Sequence, residues 1–231
     1  MNLFIEGKKI FVADKQMISN GYTRTGDVYL LDEEKVVKIY RYIDSNYNDY
    51  YKTKLDTLSK LTTNKFIKPL EIVYDKKGNI AGYTMKYIIG DNGDAILKCS
   101  TEFLINELEK IQEELTILSK NCVIIDDLIA DNVKVNKDGM YFIDLDDYII
   151  RTVLDYEKNI RDNNFFLNIF FKEIICRMYS YQKNELISDL FDDFASLYDE
   201  IIKFYKKNQT VESLVKNMVR SKEVKRLIKI K

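Results

Sequence analysis

Hydrophobic positions in the first ninety residues come in short runs broken by polar turns; after residue 100 they recur every three or four positions. Residues 8–13 alternate weakly, as a short strand would. Two apolar runs, 28–31 and 36–40, flank Asp32-Glu33-Glu34-Lys35 and predict a β-hairpin. Residues 45–61 predict a helix, because Tyr47, Tyr51, Leu55, Leu58 and Leu61 fall on one face and Ser45 can cap it. Runs at 67–74 and 80–89 around Asp75-Lys76-Lys77-Gly78-Asn79 predict a second hairpin.

From Thr101, a predicted cap, the stripe Phe103, Leu104, Leu108, Ile111, Leu115 and Leu118 marks a long amphipathic helix. Two short strands, 133–135 and 140–143, follow around the turn Asn136-Lys137-Asp138-Gly139. Helices are expected from about Asp162 or Asn163 onward. Strands first and helices second describe an α+β protein of two lobes, divided into 1–89 and 90–231.

Composition narrows the class. The chain has 231 residues, 46% hydrophobic and 32% charged, too apolar for a disordered chain and too charged for a membrane bundle. Its longest nearly apolar stretch, 165–171, is far short of a transmembrane segment, and Glu6, Lys8 and Lys9 break up any secretory leader. Cys99, Cys122 and Cys176 stand apart, as reduced thiols of a cytoplasmic protein would. Histidine is absent, which excludes Ser-His-Asp and Cys-His catalysis and His-ligated zinc. Any catalysis must use carboxylates, lysines, hydroxyls or a metal on oxygen ligands.

The net charge of -1 hides a basic end: residues 203–231 hold ten Lys/Arg against Glu212 and Glu223. Val211, Leu214, Val215 and Met218, then Val224, Leu227 and Ile228, have helical spacing. The tail therefore predicts terminal helices packed on the helical lobe, with a surface for an acidic partner as the alternative.

Three features carry candidate chemistry. Gly21, Thr23 and Gly26 occupy the three positions of a Gly-x-Gly-x-x-Gly loop, with Val28 opening the strand behind it. Such a loop lets backbone N–H groups approach phosphate oxygens, although an ordinary turn would read the same way. Lys38 lies within the apolar run Val36-Val37-Lys38-Ile39-Tyr40, either buried with a partner or on a solvent face. Finally, Asp126, Asp127, Asp131 and Asn132 precede Phe142-Ile143-Asp144-Leu145-Asp146, all with apolar flanks. Clustered carboxylates repel unless a cation or proton holds them, and Asp and Asn oxygens suit Mg²⁺. A solvated acidic loop is the plain alternative.

In this order the motifs resemble the protein-kinase-like superfamily over about residues 21–173, as a compact and divergent member of bacterial or phage type. The resemblance implies a bilobal fold with a β-rich first lobe and a helical second one. It also implies ATP and Mg²⁺ as cofactors. Gly21, Thr23, Gly26 and Val28 would cover the phosphates, Lys38 would bind them, Met85 would be the gatekeeper, and the backbone from Lys86 to Ile88 would meet adenine. Asp127 would be the catalytic aspartate, and Asn132 and Asp144 would hold the metal with help from Asp146. The acceptor would be a protein Ser/Thr hydroxyl; a small-molecule alcohol and a non-catalytic binding module are the alternatives.

Departures from the pattern are specific. Ile125 and Asp126 replace the His and Arg before Asp127, and Asp146 replaces the glycine of Asp-Phe-Gly. The 45–61 helix offers Asp49 and Asp56 but no glutamate to Lys38, and no Ala-Pro-Glu follows Asp144.

Overall fold

Runs rich in Val, Ile and Tyr build the first part of the fold, because β-branched and aromatic side chains fit a pleated, half-buried surface. The computed structural model describes residues 3–10, 12, 15–18, 25–42, 45–126, 128–178 and 194–229, with the side chains of 194 and 222–229 excepted. Within it the chain divides into two units, Met1–Ile89 and Gly90–Lys231. The protein is α+β.

The first unit holds β1 (Leu3–Ile5), β2 (Lys8–Ile10), β3 (Gly26–Leu30), β4 (Lys35–Tyr40), β5 (Pro69–Asp75) and β6 (Ile80–Lys86). They form one antiparallel sheet in the order β2-β1-β5-β6-β4-β3. Both predicted hairpins are present as β3–β4 and β5–β6. The β1–β2 hairpin was not foreseen from the pattern; its two-residue turn, Glu6 and Gly7, has φ of 48° and 76°, the left-handed pair that tight hairpins require. Pro69, the chain's single proline, opens β5, where a missing N–H costs least. The turn after β5 is built by Asp75, whose Oδ1 accepts from the N–H groups of Lys77 (2.7 Å) and Asn79 (2.9 Å).

Strand β4 is buried from Val36 to Tyr40. Val37 and Ile39 join Leu3, Val12, Val73 and Ala81 in one apolar cluster. By alternation, Val36, Lys38 and Tyr40 face the other way. The helix α1 (Asn48–Ser59) packs on that second face, where the ring of Tyr51 lies 5.2 Å from that of Tyr40. Ser45 is not its cap. A 3₁₀ turn, Ser45–Tyr47, comes first, and Asn48 is engaged with the β5–β6 turn through Ile80 N–H (2.9 Å). The helix ends at Ser59, although Leu61 beyond it is still buried.

The second unit begins with β7 (Asp91–Asn92) and a 3₁₀ turn, Gly93–Lys98, and continues with α2 (Thr101–Lys120) and β8 (Val123–Ile124). After the 3₁₀ turn Ala130–Asn132 come β9 (Val133–Asn136), β10 (Gly139–Phe142) and β11 (Ile149–Ile150). Helices α3 (Tyr156–Arg177), α4 (Phe194–Tyr205) and α5 (Val211–Lys229) complete the described residues. Two small sheets result, β10-β9-β7 and β11-β8.

Helix α2 buries Leu104, Leu108, Ile111, Leu115 and Leu118, the predicted stripe apart from half-buried Phe103. Its cap is Ser100, which accepts from Phe103 N–H at 3.1 Å. Thr101 instead spends its hydroxyl on the Asn208 carbonyl at 2.7 Å. Helix α3 starts earlier than expected, at Tyr156 rather than Asp162 or Asn163, because Asp155 caps it by accepting from Lys158 N–H at 3.0 Å. Val211, Leu214, Val215 and Met218 of α5 are buried, so the first half of the basic tail is packed; the side chains of Val224, Leu227 and Ile228 lie outside the described residues. Among the described residues, no helix is long and apolar enough to cross a membrane.

Candidate functional site

In the first unit the candidate residues centre on Lys38, which is 2% exposed. It pairs in register with Val28 on β3 and Tyr83 on β6, so three neighbouring strands bring these positions side by side. Two glycines let the strands close up there. A Cβ at Gly82 would lie 1.9 Å from the Lys38 carbonyl oxygen, and one at Gly26 would lie 2.4 Å from that of Ile39. Gly26 is thus the first residue of β3 and is required by sheet packing, independently of any phosphate. Gly21 and Thr23 lie outside the described residues.

The face of the sheet that carries Lys38 is the one α1 covers, and α1 buries Lys54, Leu55 and Leu58 there. Of its two carboxylates, Asp49 is exposed and Asp56 half-buried. Met85 is buried in β6 opposite Val36, Lys86 ends that strand exposed, and Ile88 is buried beyond it.

In the second unit the chemistry-bearing residues are gathered by a hairpin. Strands β9 and β10 pair from Val133↔Phe142 to Asn136↔Gly139. Asn132 and Asp144, twelve positions apart in the chain, therefore flank the same end of one ribbon. The closing bond is explicit: Ile143 N–H donates to the Asn132 carbonyl at 2.9 Å. Asp146 N–H donates to Asp144 Oδ1 at 3.1 Å, which curls the chain back after Leu145 inserts into the core. The far end of the ribbon is the predicted turn, where Asn136 Oδ1 accepts from Asp138 N–H (2.9 Å) and Gly139 N–H (3.2 Å). The ribbon is seated by Glu107, a buried carboxylate on α2 that accepts from Met140 N–H at 2.8 Å and pairs with Lys110 at 2.8 Å. Phe142 meets Phe170 of α3 edge-on at 5.7 Å.

The loop from Ile125 to Asn132 is held mainly by α3. Asn163, fully buried, accepts from Ile125 N–H at 2.8 Å and donates to Ser119 Oγ (2.9 Å) and to the Val123 carbonyl (3.0 Å). One turn earlier, Asn159 donates to the Ser119 carbonyl at 3.0 Å and accepts from Arg151 at 2.9 Å; Arg151 also binds Asp162. Asp127 itself lies outside the described residues. Beyond Asp144, Tyr148 is buried, and its hydroxyl is pushed well above its ordinary pKa by burial first, then by the nearby charges of Asp144 and Glu114. Strand β11 then pairs with β8, Ile149 opposite Ile124, and α3 begins.

Sequence reasoning missed Asn159, Asn163 and Glu107 as supports of this loop and ribbon, and Glu173 of α3, which accepts from Ala130 N–H at 3.2 Å. A signal existed for the asparagines: at 159 and 163 they continue, four residues apart, the buried stripe of Leu167, Phe170 and Ile174. Polar residues on a buried stripe must be bonded, and here they bond the loop.

Asn132, Asp144 and Asp146 supply only oxygen donors, the kind hard Mg²⁺ takes while leaving positions to phosphate and water. Among the described residues, no three Asp, Glu, His or Cys side chains gather as a self-sufficient metal cage. No family model matches the chain, and a comparison with curated proteins returns no match.

Proposed function

We propose that the chain is an ATP-dependent phosphotransferase of the protein-kinase-like kind, moving a phosphoryl group to a hydroxyl acceptor. The observation that carries this reading is the convergence of Asn132 and Asp144 at one end of the β9–β10 ribbon, joined through Ile143 N–H and the Asn132 carbonyl. Lys38, 2% exposed on β4, supports it as the residue at the position where the resemblance implies a phosphate-binding lysine.

In this reading the Lys38 ammonium holds nucleotide phosphate oxygens, and Met85 and Ile88 give the base an apolar surface. Asn132 and Asp144 hold Mg²⁺, with Asp146 beside them. Bound Mg²⁺ supplies charge neutralisation on the phosphate oxygens. Asp127, five positions before Asn132, orients the acceptor hydroxyl and takes its proton. The acceptor is a protein Ser/Thr hydroxyl or a small-molecule alcohol. One feature favours a second reading, a nucleotide-binding module without transfer: α1 carries Asp49 and Asp56 but no glutamate to offer Lys38.

The test is transfer of label from γ-labelled ATP with Mg²⁺, to the chain itself, to added protein and to small alcohols. Asp144→Asn should lower the transfer rate by about a hundredfold or more. Equal transfer by wild type and variant refutes the metal assignment. Saturable ATP binding with no transfer to any acceptor selects the second reading.

A further inference from the structure

We propose that Glu173 on α3 is the positioning residue for the Asn132 turn: its carboxylate fixes residues 130–132 and, through them, the amide that the phosphotransferase reading assigns to the metal. The proposal rests on that reading for its functional part.

The N–H that opens a 3₁₀ turn has no partner within the turn. Here it belongs to Ala130, which is fully buried, so water cannot serve it. Glu173 Oε2 accepts it at 3.2 Å. The turn then runs on without slack. Asn132 N–H donates to the Ile129 carbonyl at 3.0 Å, Val133 N–H to the Ala130 carbonyl, and Ile143 N–H to the Asn132 carbonyl at 2.9 Å. A continuous chain of bonds leads from Glu173 through Asn132 to the residue before Asp144.

Gly93 packs closely against the same turn. A Cβ at Gly93 would lie 3.0 Å from the Ala130 oxygen, 3.1 Å from its Cα and 3.3 Å from Val133 Cβ. Glu173 is itself held. Arg177 binds its other oxygen at 2.6 Å and reaches Asp94, the neighbour of Gly93, at 2.9 Å. The contacts form a ring: Gly93 presses on Ala130, Ala130 donates to Glu173, Glu173 accepts from Arg177, and Arg177 returns to Asp94. The Arg177 pairs are a quarter to a half exposed, so they contribute little to stability. What Glu173 provides is aim for the buried Ala130 N–H.

The experiment compares wild-type chain with Glu173→Ala and Glu173→Gln. It measures the Mg²⁺ concentration for half-maximal phosphoryl transfer, and amide exchange at Ala130. Glu173→Ala should raise the Mg²⁺ requirement about tenfold or more, as loss of an outer support of a metal ligand does. Exchange at Ala130 should accelerate by about the same factor. Glu173→Gln keeps an oxygen acceptor of the same reach and should return both to within about threefold of wild type. An unchanged Mg²⁺ requirement in the alanine variant, or equal effects of alanine and glutamine, overturns the proposal. Wild type that transfers no phosphate refutes the phosphotransferase reading separately. In that case the clamp is judged on exchange alone, and an unaltered rate at Ala130 overturns it.

Discussion

Replacing Asn163 with alanine would test how firmly α3 holds the Ile125–Asn132 loop. The side chain is fully buried and makes three bonds, to Ile125 N–H, Ser119 Oγ and the Val123 carbonyl. Ser119 Oγ can turn its hydroxyl elsewhere. The Ile125 N–H and the Val123 oxygen cannot, and each buried polar group left unbonded costs about 1–3 kcal/mol. The expected loss is therefore about 2–6 kcal/mol, a large share of the roughly 5–15 kcal/mol that domains possess. Urea unfolding of the full chain, followed by circular dichroism and extrapolated to zero denaturant, measures it. Asn163→Asp sharpens the test. At neutral pH it keeps the acceptor for Ile125 N–H but buries a carboxylate against the Val123 carbonyl, so its loss should be at least as large as that of alanine. An alanine variant that loses less than about 1 kcal/mol would refute the reasoning, because two buried groups would then have found other partners.

Two further outcomes follow from the described contacts. The Lys35 ammonium at 2.8 Å lowers the Glu71 pKa; burial opposes this, and the Thr84 hydroxyl at 2.9 Å assists it. A carboxyl lowered by folding contributes stability above its unfolded pKa and loses it as pH falls through the folded value. Glu71→Gln should thus cost about 0.5–1 kcal/mol at neutral pH and nothing in strong acid; an equal cost at both, measured by urea titration, contradicts the assignment. On α5, Leu214 is fully buried, so Leu214→Ala should cost about 2–4 kcal/mol, whereas reversing exposed Lys216 should cost less than about 0.5 kcal/mol. The opposite ranking in thermal unfolding would mean that the tail acts as a charged surface.

Where the sequence was legible, a local period met a local turn. The hairpins β3–β4, β5–β6 and β9–β10 could be read because apolar runs flank turns in which Asp32, Asp75 and Asn136 side chains accept from nearby backbone N–H groups. The α2 stripe could be read because its burial is nearly complete. The caps of α1 and α2 were misplaced because a cap is decided by where a polar side chain is spent. Thr101 bonds Asn208 across more than a hundred positions, leaving Ser100 as cap, and Asn48 bonds Ile80 in a distant turn. The start of α3 was hidden by polar residues, two of which, Asn159 and Asn163, turned out to face the core. The hairpin β1–β2 was too short, at three residues a strand, to show a period. At the candidate site, Asn132 and Asp144 stood out by spacing. Glu107 and Glu173 did not, since a carboxylate that serves a single distant N–H leaves no pattern in the chain.

The twelve positions from Asp144 to Tyr156 have a consequence for control. Leu145 and Tyr148 are buried, Ile149 and Ile150 are paired with Ile124 and Val123, Arg151 is tied to Asn159, and Asp155 caps α3. A switch needs two arrangements of similar free energy, separated by a few kcal/mol at most. A second arrangement of this stretch would have to break the β8–β11 pairing, the Arg151–Asn159 bond and the Asp155 cap. Under the phosphotransferase reading, the output of the protein is then set by how much chain is made and destroyed and by the supply of metal and nucleotide.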